Sequence, residues 1–228
     1  MNQLAVVPKI QINFPRDGKI RSRKVVKRSN ARMTGKYPSW KVQRMMQWES
    51  EHESNAMRIF DASKEVITFN EQPCEIIYEM DGESFRHYPD FLVQTLDGNT
   101  FCEVKMAADA ASNDVAKRTA HLTQYLPYYG FQYRIELAED LAQEPRLGNL
   151  KRLLKLGRVD VSLPEKEHFR QFFKQHDAIL WSDLKQEECH PMLLPQACRL
   201  ILEGALTIDL NKPISESSAI GWNHATNY

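Results

Sequence analysis

The chemistry-bearing residues of this chain concentrate in residues 88–105. Pro89-Asp90 opens one apolar run, and Glu103-Val104-Lys105 closes the next. Two carboxylates and an ammonium brought to one surface would suit a metal-dependent phosphodiesterase. Hard cations such as Mg2+ take oxygen ligands and keep several waters. A metal on Asp90 and Glu103 can polarise a phosphate and lower the pKa of a bound water. Lys105 can position or deprotonate that water, or stabilise charge on the phosphoryl oxygens. The competing reading is an ordinary cross-strand salt bridge, worth about 0–1 kcal/mol. Spacing alone does not choose between them.

The positioning elements decide whether the three side chains meet. Residues 88–96 and 100–105 are rich in Phe, Val, Leu and Thr and read as strands. Asp97-Gly98 between them is a strong hairpin signal. A two-residue loop there opposes Leu96 to Asn99, and so Leu92 to Glu103 and Asp90 to Lys105. Alternation puts Glu103 and Lys105 on one face, and pairing adds Asp90 to it. Upstream, the recurrence of Trp40, Gln43, Arg44, Gln47, Trp48, Met57 and Phe60 predicts a helix over 40–60, with Ser39 as N-cap. It contains Glu49-Ser50-Glu51-His52-Glu53, either a solvated face or the source of a third metal-facing carboxylate. Strands are expected at 66–69 and 75–78 around Glu71-Gln72-Pro73, a helix at 114–126 and a strand at 131–135. This order describes an α+β nuclease core with a mixed sheet.

Taken together, Glu49-Ser50 with Glu53, Val66-Ile67, Glu71-Gln72-Pro73, Tyr88-Pro89-Asp90-Phe91-Leu92-Val93 and Glu103-Val104-Lys105 resemble the TnsA-type endonucleases. These are subunits of heteromeric transposases, including those of CRISPR-associated transposons. The motifs cover about residues 30–136, with a looser likeness to about 220. The resemblance implies a restriction-endonuclease-like catalytic domain and a winged-helix-like C-terminal domain. It implies Glu53, Asp90, Glu103 and Lys105 as catalytic, the three acids as ligands of Mg2+ (or Mn2+), and cleavage of the 5′ ends of the transposon. Some members carry Gln at the position of Glu103. The partners it implies are double-stranded transposon ends, an integrase-like transposase that cuts and joins the 3′ ends, and an AAA+ ATPase regulator. Together the two cuts would give cut-and-paste movement.

Overall charge is zero, but residues 1–44 hold twelve Lys and Arg against Asp17 alone. A basic arm of this kind can neutralise phosphates, giving salt-sensitive affinity without base reading. The same composition also suits a solvated tail, a strand-forming lead-in or a segment that docks on an acidic face of a partner. The candidate DNA contacts are Arg21, Arg23, Lys24, Lys27, Arg28, Arg32, Lys36 and Lys41, with Tyr37 and Trp40 interleaved. The expected divisions are an arm (1–36), a catalytic domain (37–140), a helical linker (141–162) and a C-terminal domain (163–228). In the last, Ser162 and Glu165 form a capping-box signature, and a helix over 195–203 should end at Gly204, before a wing strand at 206–210. Its helices lack an exposed basic stripe, which favours protein contact over base reading. Cys74, Cys102, Cys189 and Cys198 have no zinc-knuckle spacing. No apolar run reaches a membrane span and no leader is evident, so a cytoplasmic protein is expected.

Overall fold

The computed structural model describes residues 9–16, 19, 21–22, 34–185 and 193–224. It is a mixed α+β chain of two compact units, one drawn from residues 1–61 and 65–142, the other from 62–64 and 143–228. In the first unit, β1 (Ile10–Asn13) is followed by a hairpin of β2 (Gly35–Ser39) and β3 (Arg44–Trp48), then α1 (Glu51–Ala62). The helix expected over 40–60 is therefore half hairpin. Gln43 turns the chain with φ 55°, and Tyr37 and Met46 are buried by strand alternation. Apolar residues spaced to suit two turns of helix also suit alternate positions of two short strands.

Next come β4 (Val66–Glu71), β5 (Glu75–Met80), β6 (Glu83–His87), β7 (Phe91–Thr95) and β8 (Gly98–Lys105). The short α2 (Ala107–Ala110) and then α3 (Asn113–Tyr125) lead to β9 (Phe131–Leu137) and α4 (Ala138–Leu141). Four strands form a sheet in the order β4-β7-β8-β9, with β8 and β9 parallel across the α3 crossover and the other pairs antiparallel. Its two faces carry two cores. Phe69, Phe91, Val93, Cys102 and Val104 pack against Ala56, Met57 and Phe60 of α1. Phe101 and Tyr133 pack on the opposite side with Leu122 of α3 and with Ile76 and Tyr78 of a second sheet, β1-β5-β6. Phe60 sits edge-on to Phe69 and Phe91 at 5.6 and 5.5 Å.

Two Asp-Gly pairs turn hairpins here, and they do so differently. At Asp81-Gly82 both residues have positive φ (53° and 82°), and Met80 opposes Glu83. That is the type I′ pattern, in a hairpin absent from the sequence reading. At the second pair the loop residues are Leu96-Asp97, and Thr95 opposes Gly98. Gly98 carries the positive φ, 131°, and the Thr95 hydroxyl accepts from Asp97 N at 3.2 Å. The β7–β8 register is thus two residues from the expected one, pairing Leu92 with Phe101 rather than Glu103. A slip of one would have turned every side chain over; a slip of two keeps each on its face.

The second unit comprises α5 (Arg146–Leu156), α6 (Leu163–Phe173), β10 (Ala178–Leu180), α7 (Leu194–Glu203), β11 (Leu206–Ile208) and β12 (Ala219–Trp222). Its sheet runs β10-β12-β11. Residues 141–162, expected as a linker, contribute α5, which packs on α7. Ser162 caps α6 in a complete capping box with Glu165, and Gly204 ends α7 at φ 82°. Among the described residues no helix is long and apolar enough to cross a membrane.

Candidate active site

The site forms where β8 outruns β7. The β7–β8 pairing begins at Phe91 and Cys102, whereas β8 continues to Lys105 along β9. Pro89 has no N–H to extend the ladder. Asp90 takes over: its Oδ2 accepts from Val104 N at 2.8 Å, a side chain standing in for a strand. Its main-chain carbonyl accepts from Gln72 N, also at 2.8 Å. Gln72 adopts φ 49° just after buried Glu71, so the Glu71-Gln72-Pro73 turn holds Asp90 in place through its backbone.

Asp90, Glu103 and Lys105 come to one face. Lys105 Nζ lies 2.7 Å from Glu103 Oε1. The Asp90 carboxyl is held well above the ordinary carboxylate range, first by burial, then by the negative charges of Glu103 and Glu53; the Val104 N–H and Lys105 oppose this. Three acids within mutual reach repel one another. Glu103 is 5% exposed, and its Oε2 has no hydrogen-bond partner among the described residues.

Of the run 49–53, Glu53 is the acid whose charge reaches Asp90, while Glu51 and His52 are exposed. Its carboxylate also serves the helix. Glu53 N donates to Ser50 Oγ at 3.1 Å, and Glu53 Oε2 accepts from Glu49 N at 2.8 Å, a capping arrangement for the first turn of α1. Accordingly, no group of three His, Cys, Asp or Glu among the described residues stands ready to hold a metal ion. Asp90 and Glu103 suit a hard cation that takes one or two carboxylates and completes its shell with water and phosphate. The fit rests on the orphaned Glu103 Oε2 and on the mutual repulsion that a divalent ion would relieve.

Three further residues surround Glu103. His87, at the end of β6, places Nε2 at 3.3 Å from Glu103 Oε2 and at 3.1 Å from the Tyr133 hydroxyl. Burial, then Arg118 and Lys105, push its pKa down to about 3. The imidazole is neutral at pH 7, and the Glu103 contact is no ion pair. Tyr133, held protonated chiefly by burial, shares a hydrogen bond with Nε2 whose direction follows the imidazole tautomer. Arg118 of α3 lies one turn before buried Leu122 on the same helix face, with NH2 at 3.7 Å from Glu103 Oε1. These residues reach the site by a hairpin, a helix and a crossover strand. Their sequence signals, a His three positions before Asp90 and the Lys117-Arg118 pair in the crossover helix, are slight.

The candidate DNA contacts fare unevenly. Arg23, Lys24, Lys27, Arg28 and Arg32 lie outside the described residues. Arg21 is committed internally, its Nε 3.0 Å from Glu71 Oε1 and its NH1 on Gln47. Lys41 Nζ donates to the carbonyls of Phe60 (3.2 Å) and Val66 (2.6 Å), and burial pushes its pKa down to about 8 against the pull of Asp61. Tyr37 is buried, its hydroxyl on Asp61. Arg21, Lys41 and Tyr37 are therefore parts of the interior framework, whereas Lys36 is exposed on β2. Cys74, Cys102 and Cys198 are buried free thiols, each pushed up to about 12 by burial and so unreactive. Cys189 lies outside the described residues.

Comparison of the chain with protein-family models and with curated proteins finds no match.

Proposed function

We propose that the protein is a metal-dependent DNA endonuclease of the TnsA type, cleaving the 5′ ends of a transposon beside a partner transposase. The observation that carries this reading is the junction at the end of β8. There Asp90 replaces a missing strand, and Glu103 and Lys105 stand beside it on one sheet face, with Glu103 Oε2 lacking a hydrogen-bond partner among the described residues. A surface salt bridge explains neither the buried orphan oxygen nor the converging acids. The mixed four-stranded sheet, with α1 on one face and α3 on the other, is consistent with a restriction-endonuclease-like core.

Asp90 and Glu103 would hold Mg2+ or Mn2+, which when bound supplies Lewis acidity at the phosphate and an acidified water. Lys105, tethered by Glu103, presents its ammonium at the same face to orient that water or meet charge on the phosphoryl oxygens. Glu53 adds negative charge from the start of α1. In the second unit, the β10-β12-β11 order with α6 and α7 is compatible with a winged helix. No residue of α7 is exposed, and α5 packs on it. A helix so covered is poorly placed to enter a major groove, which favours contact with the transposase or the AAA+ regulator.

The test is strand-specific cleavage by the assembled transposase in Mg2+. Wild-type chain should nick the 5′ ends; Asp90→Ala or Lys105→Ala should abolish those nicks while the assembly still forms and the partner still cuts the 3′ ends. Undiminished 5′ cleavage with Asp90→Ala would overturn the reading.

A further inference from the structure

Glu103 has more cations around it than it uses. Its Oε1 is met by Lys105 at 2.7 Å, whereas Arg118 NH2 stands off at 3.7 Å, beyond hydrogen-bond length. Arg118 Nε is buried without a hydrogen-bond partner among the described residues. Its side chain as a whole is 22% exposed. The guanidinium is close enough to Tyr133 for its charge to act on the phenol, and the Tyr133 hydroxyl is 3.1 Å from His87 Nε2.

A planar guanidinium that stops short of its neighbouring carboxylate is suited to a tetrahedral anion. Arginine donates a fork of N–H groups that matches two oxygens of one phosphate, which a lysine cannot do. A purely structural arginine at 5% exposed Glu103 would be expected to close to a bidentate pair. This one stops at 3.7 Å.

We propose that Arg118 grips a phosphodiester of the DNA strand at this site, beside Tyr133. The inference rests on the nuclease reading for the identity of the strand, but its own content is a phosphate contact. That contact can be measured without turnover.

The experiment uses the full-length chain with duplex DNA carrying single methylphosphonates, bound in Ca2+ so that affinity is read apart from cleavage. Wild type should lose affinity when one particular phosphate is neutralised. Arg118→Ala should weaken binding about tenfold to a hundredfold and become indifferent to neutralisation at that position, while remaining sensitive elsewhere. Arg118→Lys, which keeps the charge and loses the fork, should retain part of the affinity and keeps the test valid if Arg118→Ala fails to fold. Tyr133→Phe should weaken the same phosphate contact without removing it. An unchanged affinity and an unchanged interference pattern in both Arg118 variants would overturn the proposal. Separately, wild-type assembly that shows the Arg118-dependent contact but never cleaves in Mg2+ would refute the nuclease reading and leave the phosphate grip standing.

Discussion

Two sets of buried carboxylates in the first unit are built on opposite lines. Asp61 is fully buried and accepts four hydrogen bonds, from the Tyr37 and Ser39 hydroxyls and from Trp40 N and Lys41 N. Glu71, 1% exposed, is clamped by both ends of the Arg44 fork, by Arg21 and by Gln47 N. Nothing is left for a ligand at either. At Asp90 and Glu103, by contrast, like charges converge, one oxygen has no hydrogen-bond partner among the described residues and the nearest arginine stands off. The first set anchors the β2–β3 hairpin to α1 and β4. The second is held in an unfavourable state by the framework the first supplies. Burial and charge alone therefore do not mark a functional acid here; incomplete satisfaction does.

The contrast breaks most visibly at Arg44. Arg44→Met leaves Glu71 buried with Arg21 as its remaining cation and is expected to cost about 3–5 kcal/mol, measured by urea unfolding. If unfolding changes by less than about 1 kcal/mol, the clamp is not the anchor described. Asp90→Asn should act in the other direction. The amide keeps an acceptor for Val104 N and removes one of three mutually repelling charges, so the metal-free protein should gain about 1 kcal/mol at neutral pH.

The same asymmetry carries a pH signature. Because the folded-state pKa of Asp90 lies above its unfolded value, the native state binds the extra proton between the two. Metal-free stability should consequently fall as pH rises from the ordinary carboxylate pKa through the raised one. Asp90→Asn should flatten that fall in an unfolding series at stepped pH, and Asn in place of Asp97, an exposed turn residue, should leave it unchanged.

A smaller effect separates surface cations from framework cations. Lys36→Ala should lower the slope of log affinity against log salt by about 0.9, the value for one phosphate contact, with stability unaltered. Arg21→Ala should instead lower unfolding stability by loosening Glu71. A salt slope that responds to Arg21 but not to Lys36 would reverse their assignment.

How much of this could be read in the chain follows from the range of each interaction. The Ser162–Glu165 capping box and the Gly204 stop on α7 depend on neighbours within a turn, and both were legible. The shared face of Asp90, Glu103 and Lys105 was legible because strand alternation tolerates the two-residue error in register. That error arose from local chemistry, since Thr95 and Gly98 move the loop to Leu96-Asp97. The hairpin at 35–48 was hidden because its spacing also suits a helix, and its stabilising partner, Asp61, lies twenty residues or more away from Tyr37, Ser39, Trp40 and Lys41. For the same reason Arg21 and Lys41 read as DNA contacts. Their buried partners are remote in sequence, and a basic segment does not reveal which of its cations face inward. His87, Arg118 and Tyr133 come from β6, α3 and β9 and meet only in the tertiary fold, so their sequence signals are slight.

The account turns on Asp90 and Glu103 taking a divalent cation, and thermal melting with Mn2+ tests it most directly, with the same duplex DNA present throughout. An ion that binds the native state alone must raise its stability. Wild type should melt higher in Mn2+ than in its absence. Asp90→Asn should start higher without metal and gain nothing from it. A wild-type melting temperature indifferent to Mn2+, or an equal rise in Asp90→Asn, would contradict a metal centre at this face.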